Sequence, residues 1–187
     1  MKRKLSLFAG LIALCAFGVR AQADSVFTAT LNGDSEAPSS MGSGFAWVDY
    51  NPTANDITYS LSFQNLGSDA IMSHIHAGAP GTDGPIVLWF FPATLMPTPS
   101  ATSGSYSGTW TAADLSTQTQ DPAITNFAQL LSAMTSGNTY VNVHSVNYMA
   151  GEIRGQLIAV PEASTLALVS LPLLLFSGAA IRRKRRG

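Results

Sequence analysis

The stretch ITYSLSF constrains this chain most. Ile57, Tyr59, Leu61 and Phe63 alternate with Thr58, Ser60 and Ser62, which is the pattern of a strand with one buried face and one wet face. A helix cannot gather those four side chains on one side. Similar runs recur along the chain. SVFTATL puts Phe27, Ala29 and Leu31 on one face, FAWVDY follows, and SYSGTWTA is a further short strand. NGDSEAPSSMGSG and MPTPSATSG (Met96 to Gly104) read as loops, and Asn51-Pro52 as a turn. Short strands separated by turn chemistry predict a mainly β chain, an antiparallel sandwich or barrel. One segment breaks the pattern. Asp121-Pro122 supplies an N-cap and a first-turn proline. Ile124, Phe127, Leu130, Leu131 and Met134 then recur at helical spacing, and Gly137 ends the run. The spacing predicts one short helix, roughly 123 to 135.

The chemistry-bearing residues concentrate in two places. In IMSHIHAGAPGTDGPIVLW, His74 and His76 stand two apart and so share a strand face, while Ile71, Ser73 and Ile75 take the other. A turn with Gly78, Pro80, Gly81, Gly84 and Pro85 leads to a second apolar run, Ile86 to Phe91. The remaining histidine, His144, lies in TYVNVHS, opposite in direction to Val141 and Val143. All three histidines are expected on displayed faces backed by apolar ones. In the last strand, GEIRGQLIAV, Ile153 and Leu157 share a face, with Glu152, Arg154 and Gln156 on the other.

Charge and hydropathy divide the 187 residues into three parts. Residues 1–23 read as a secretory signal: Lys2, Arg3 and Lys4, an apolar run from Leu5 to Val19, and a small-residue cleavage site at Ala21-Gln22-Ala23. Residues 24–159 form the body, long enough for one domain with its own core. Residues 160–187 carry Pro161 and Glu162, then an uncharged run of about 19 residues from Ala163 to Ile181, close to the ~20 of a membrane-spanning helix. Arg182, Arg183, Lys184, Arg185 and Arg186 follow, which places the tail in the cytoplasm and the body outside. The body keeps a single cation, Arg154, against ten acids. Such a surface repels phosphate backbones, so nucleic acid is not expected as a partner. The only cysteine, Cys15, falls within the signal, so the exported chain has no disulfide available.

Three resemblances attach to these residues. The tail is similar to a PEP-CTERM sorting signal: Pro161 and Glu162, a membrane span and an arginine cluster, with Ala163 where a second proline is usual. That resemblance implies a Gram-negative bacterium, a transient inner-membrane intermediate, processing by an exosortase, and release to the cell surface or an exopolysaccharide matrix. The body resembles the CHRD domain through FTATLNGDSEAP, HIHAGAPGTDGPIV and YVNVHSVNYMAGEIRGQL, which span Phe27 to Leu157. This implies an immunoglobulin-like β-sandwich with no agreed activity. More faintly, SHIHAGAPG, VNVHS and AGEIRGQL resemble copper/zinc superoxide dismutases. Carried across, His74, His76 and His144 become copper or zinc ligands and Arg154 a substrate-guiding cation. The histidines of a bridging ligand and of a zinc site have no counterparts, and neither has the disulfide, so rapid dismutation is not implied.

Each candidate also has a plainer reading. His74 and His76 form the polar face of a strand, hydrogen-bonded to loops. Arg154 pairs with a carboxylate, Glu36 or Glu152, and fixes the last strand. Asp34, Glu36 and Asp83 sit in loops with oxygen donors for calcium, but without EF-hand spacing they read as solvated acids. Trp47, Trp89 and Trp110 offer rings for sugars, with core packing as the default. No nucleophile elbow, phosphate loop or HExxH occurs. The expectation is an exported, non-catalytic surface or matrix protein with no required cofactor. The competing reading is a copper- or zinc-binding protein built on the three histidines.

Overall fold

A computed structural model describes residues 25–91 and 101–161. The signal segment with Ala21 and Ala23, most of the Met96–Gly104 loop, and the tail from Glu162 onward lie outside the described residues. The expected signal helix and membrane span therefore fall there too. Among the described residues no helix is long and apolar enough to cross a membrane.

Nine strands run β1 (Ser25–Asn32), β2 (Ser43–Asn51), β3 (Asp56–Gln64), β4 (Ala70–Ala77), β5 (Ile86–Phe91), β6 (Gly104–Thr111), β7 (Thr139–Ser145), β8 (Ile153–Gln156) and β9 (Ile158–Ala159). All pairings are antiparallel, in the order β5-β4-β7-β8-β1-β2-β3-β6, with β9 against β1. The expected antiparallel sandwich or barrel takes the form of one curved sheet that nearly closes. Its end strands, β5 and β6, meet through side chains. Trp110 Nε1 donates to the Trp89 carbonyl at 3.0 Å, and Phe91 stacks on Tyr106 with centroids 4.3 Å apart. The outer edge of β5 is covered rather than left bare. Its Ile86 carbonyl accepts from the Gln120 amide at 2.8 Å, and its Trp89 amide donates to Gln118 Oε1 at 2.9 Å.

The alternating residues fill the barrel. Phe27, Ala29 and Leu31 of β1, Ile57, Leu61 and Phe63 of β3, and Val141 and Val143 of β7 all belong to the core. GEIRGQLIAV is two strands, not one. β8 pairs with β7, and the chain then shifts at Leu157 so that β9 pairs with β1.

Two short helices stand where one was expected. α1 (Ala112–Gln118) follows β6 directly and is capped by Thr111: its hydroxyl accepts from the Asp114 amide while Asp114 accepts from the Thr111 amide at 2.8 Å. Leu115 is its one buried residue, so no apolar period announces it. α2 (Phe127–Thr135) begins later than position 123. Asp121 closes a turn instead, accepting from the Ala123 amide at 2.8 Å, and Asn126 caps the helix by accepting from the Gln129 amide at 3.0 Å. Phe127, Leu130 and Met134 bury its inner face.

Candidate metal centre

The middle of the sheet is buried on both sides. The side of β4, β7 and β8 turned away from the barrel core carries a polar row set by register. His74 stands opposite Asn142, which stands opposite Arg154; His76 stands opposite Tyr140, which stands opposite Gln156; Met72 stands opposite His144. Three loops lie over this row, residues 33–42, 78–85 and 146–151, and hold it through contacts given below. The histidines are therefore not displayed, as the alternation suggested. His74 is 1 % exposed, His144 5 % and His76 9 %. Alternation says which side a residue takes, not whether loops land on that side.

The rings converge. His74 Nδ1 lies 3.2 Å from His76 Nε2 and 3.2 Å from His144 Nε2, and one ligand nitrogen from each ring lies within 4.8 Å of the others. The outer nitrogens are fixed by backbone. His76 Nδ1 donates to the Gly84 carbonyl at 2.8 Å, and His144 Nδ1 donates to the Met149 carbonyl at 3.0 Å. A carbonyl only accepts, so each of these Nδ1 atoms carries its ring's proton and each Nε2 presents a lone pair. His74 Nδ1 faces both lone pairs and can donate to only one. Its other nitrogen, Nε2, is buried without a hydrogen-bond partner, and the ring meets Trp89 edge-to-face with centroids 4.2 Å apart.

The cluster is held neutral. Burial drives His74 down to about 2, helped by the neighbouring His144 and His76. Burial also lowers His144, to about 4, against the pull of the Met149 carbonyl. His76 falls for the same reason, partly opposed by its bond to Gly84. Three neutral imidazoles with converging ring nitrogens become a cation-binding arrangement once the His74 proton sits on Nε2, leaving Nδ1 bare. Among the described residues this is the group of metal-capable side chains that comes together.

A model of the CHRD domain matches residues 27–157. The chain belongs to the CHRD family. No curated protein and no solved structure matches it. The matched span holds every residue of the cluster and its supports.

Within this CHRD domain Arg154 organises the cover. Nη1 lies 3.3 Å from Glu36 Oε1 and 3.1 Å from Asp83 Oδ1, and Nη2 donates to the Thr82 carbonyl at 2.6 Å. Its guanidinium sits 3.4 Å from the centroid of the Tyr140 ring. Tyr140 in turn stacks on His76, with centroids 4.8 Å apart and planes 3° from parallel. The Tyr140 hydroxyl accepts from the Gly84 amide at 3.2 Å. The 78–85 loop is thus tied to the row at Thr82, Asp83 and Gly84. A side chain at Gly84 would collide with the Ala77 carbonyl. Burial pushes the Glu36 carboxyl up, against the lowering effect of Arg154.

Glu152, the other carboxylate expected beside Arg154, is elsewhere. It is fully buried and accepts from Ser40 Oγ and from the Gly67 amide, both at 2.6 Å, joining two loops. Its position before β8 takes it off the row that Arg154 occupies. Asp34 is exposed, while Glu36 and Asp83 are drawn to Arg154 rather than to a shared cation. Of the tryptophans, Trp110 is core, Trp89 touches His74, and Trp47 is half-buried on β2. Pro161 is exposed just past β9. Sequence reasoning passed over Tyr140 and Asn142, although their alternation with Val141 and Val143 is the signal that placed His144.

Two outcomes follow. Folded histidines below the ordinary value near 6.5 mean that the unfolded chain binds more protons below that pH. Stability of the metal-free domain therefore falls from about pH 6.5 towards 4, each such histidine adding up to about 1.4 kcal/mol per pH unit. Denaturant titrations across that range check it: His144→Gln flattens the slope, whereas a flat wild-type profile contradicts the neutral cluster. Arg154→Leu leaves Glu36 without its cation and frees the 78–85 loop. It costs about 2–3 kcal/mol and speeds hydrogen exchange at the Gly84 amide, measured by NMR; unchanged exchange there contradicts the tie.

Proposed function

We propose that this CHRD protein is exported and binds one copper or zinc ion through His74 Nδ1, His76 Nε2 and His144 Nε2. One observation carries the reading: the bare Nε2 atoms of two buried rings, His76 and His144, both face Nδ1 of the third, His74, while those two rings give their N–H to backbone carbonyls; moving the His74 proton to Nε2 completes a set of three donors. Metal-bound histidines are oriented in that way. Imidazole nitrogen meets zinc at about 2.0–2.1 Å, so three around one ion stand roughly 3.5 Å apart. Two of the separations here are 3.2 Å and all lie within 4.8 Å, so drawing His76 and His144 together while His74 backs off slightly brings the three donors to one ion. The donor set suits both metals.

The reading is one of binding, not turnover. The Arg154 nitrogens that a substrate-guiding role would need are engaged by Glu36, Asp83 and Thr82. Membership of the CHRD family is consistent with a secreted protein. The basic start, the cleavage site at Ala21 and Ala23, and the apolar run closed by Arg182–Arg186 support export and C-terminal sorting. On that reading an exosortase-type enzyme recognises Pro161 and Glu162, and the released body joins the cell surface or a polysaccharide matrix.

Metal analysis after incubation with copper or zinc should give one ion per chain, lost in His74→Ala, His76→Ala and His144→Ala. Wild-type protein that stays metal-free under the same conditions rejects the centre. For sorting, deletion of residues 182–186 should leave the full-length chain unprocessed in its host membrane. Normal release without them would contradict the tail's assignment.

A further inference from the structure

We propose that Met72 gives the three-histidine centre a fourth, thioether donor and makes it selective for cuprous copper. The inference rests on the metal reading above and names which ion the site takes.

Position comes first. Met72 precedes His74 by two residues on β4, so both side chains leave the same face. It stands directly opposite His144 on β7, and side chains so paired have Cβ atoms about 4.5–5.5 Å apart. Its neighbours along and across that face, His74 and His144, are two rings whose nitrogens lie 3.2 Å from each other. Met72 is not one of the core side chains, whereas Met134 is, at 1 % exposed. Packing inside the barrel thus does not account for Met72. It is half-buried, while the histidines beside it are buried. Trp89 stands against His74, and Tyr140 against His76. The Met72 side chain is unbranched and flexible, so its thioether can turn toward the two rings beside it.

Charge decides the ion. The four donors are neutral: three imidazoles and a thioether. The carboxylates that the covering loops bring nearby, Glu36 and Asp83, pair with Arg154, with the Tyr140 ring between Arg154 and His76. A dication held there would be buried without a compensating anion, and the desolvation cost of a charge rises steeply with its size. A monocation is far less penalised. Thioether sulfur also favours cuprous copper among the metals that imidazole accepts, whereas a three-histidine zinc site completes its tetrahedron with water.

The test uses the full-length chain, cuprous ion presented against a chromogenic chelator under anaerobic conditions, and zinc as the comparison. X-ray absorption of the copper-loaded wild type should show three nitrogens and one sulfur. Met72→Leu keeps the side chain's volume. It should lower cuprous affinity at least about tenfold, leave zinc affinity unchanged and remove the sulfur shell. One cuprous ion bound with nitrogen alone in the wild type overturns the role of Met72 and leaves the histidine centre standing. Equal cuprous affinity in Met72→Leu does the same. A wild type that takes neither ion overturns both. Because the sulfur shell is read on the wild type, the test does not depend on the variant folding.

Discussion

Two backbone carbonyls, those of Gly84 and Met149, determine what the buried face can do. Each accepts from the Nδ1–H of a histidine and so commits that ring to one tautomer. The committed rings turn bare nitrogens toward His74. Were these rings reversed, two N–H groups would face His74 and the cluster would be closed to a cation. The chemistry thus depends on two loops arriving at the right height over β4 and β7. The 78–85 loop is held there by Arg154 through Thr82 and Asp83 and by the Tyr140 hydroxyl, and it depends on a position, Gly84, with no room for a side chain.

A barrel of this size would normally leave the outer face of its antiparallel sheet in water. Here β7 lies between β4 and β8 and is buried along its whole length. Val141 and Val143 face the core, while Tyr140, Asn142 and His144 face the loops. Arg154 occupies the same outer row, and its partnership with Glu36 and Asp83 keeps those acids away from the histidines. The acidic character of the body therefore does not extend to the cluster, whose donors carry no charge. This separation keeps a buried, uncharged donor cluster within an acidic body.

Much of the scaffold was legible in the residue pattern. The alternation in ITYSLSF and SVFTATL fixed both strands and the faces that enter the core. The turn chemistry after Ala77 marked the loop that covers the site. Helix limits were less legible: Asp121-Pro122 resembles a helix start but builds a turn, and α1 has a single apolar anchor. The spacing of the histidines put them on one side but could not show that they would be covered. That depends on how two neighbouring loops fold back over them and on a distant one, which brings Glu36 to Arg154 across 118 residues. Of the two carboxylates expected beside Arg154, Glu36, the favoured partner, is the one that pairs with it, while Glu152 meets Ser40 and Gly67 through bonds the residue pattern could not show. Near-closure of the sheet was equally hidden, since Trp110 and Trp89 join its ends by a side-chain bond and not by a ladder.

The site stands or falls on three ring nitrogens, Nε2 of His76 and His144 and Nδ1 of His74, facing one another, with the outer protons on the Nδ1 atoms of His76 and His144. Nitrogen-resolved NMR of the histidine rings, before and after a diamagnetic ion is added, tests it most directly. Nδ1–H is expected on His76 and His144 in both states, with the ion shifting Nε2 of those two rings and Nδ1 of His74, whose proton moves to Nε2. Ring nitrogens unmoved by the ion, or protons found on Nε2 of His76 and His144, would contradict it.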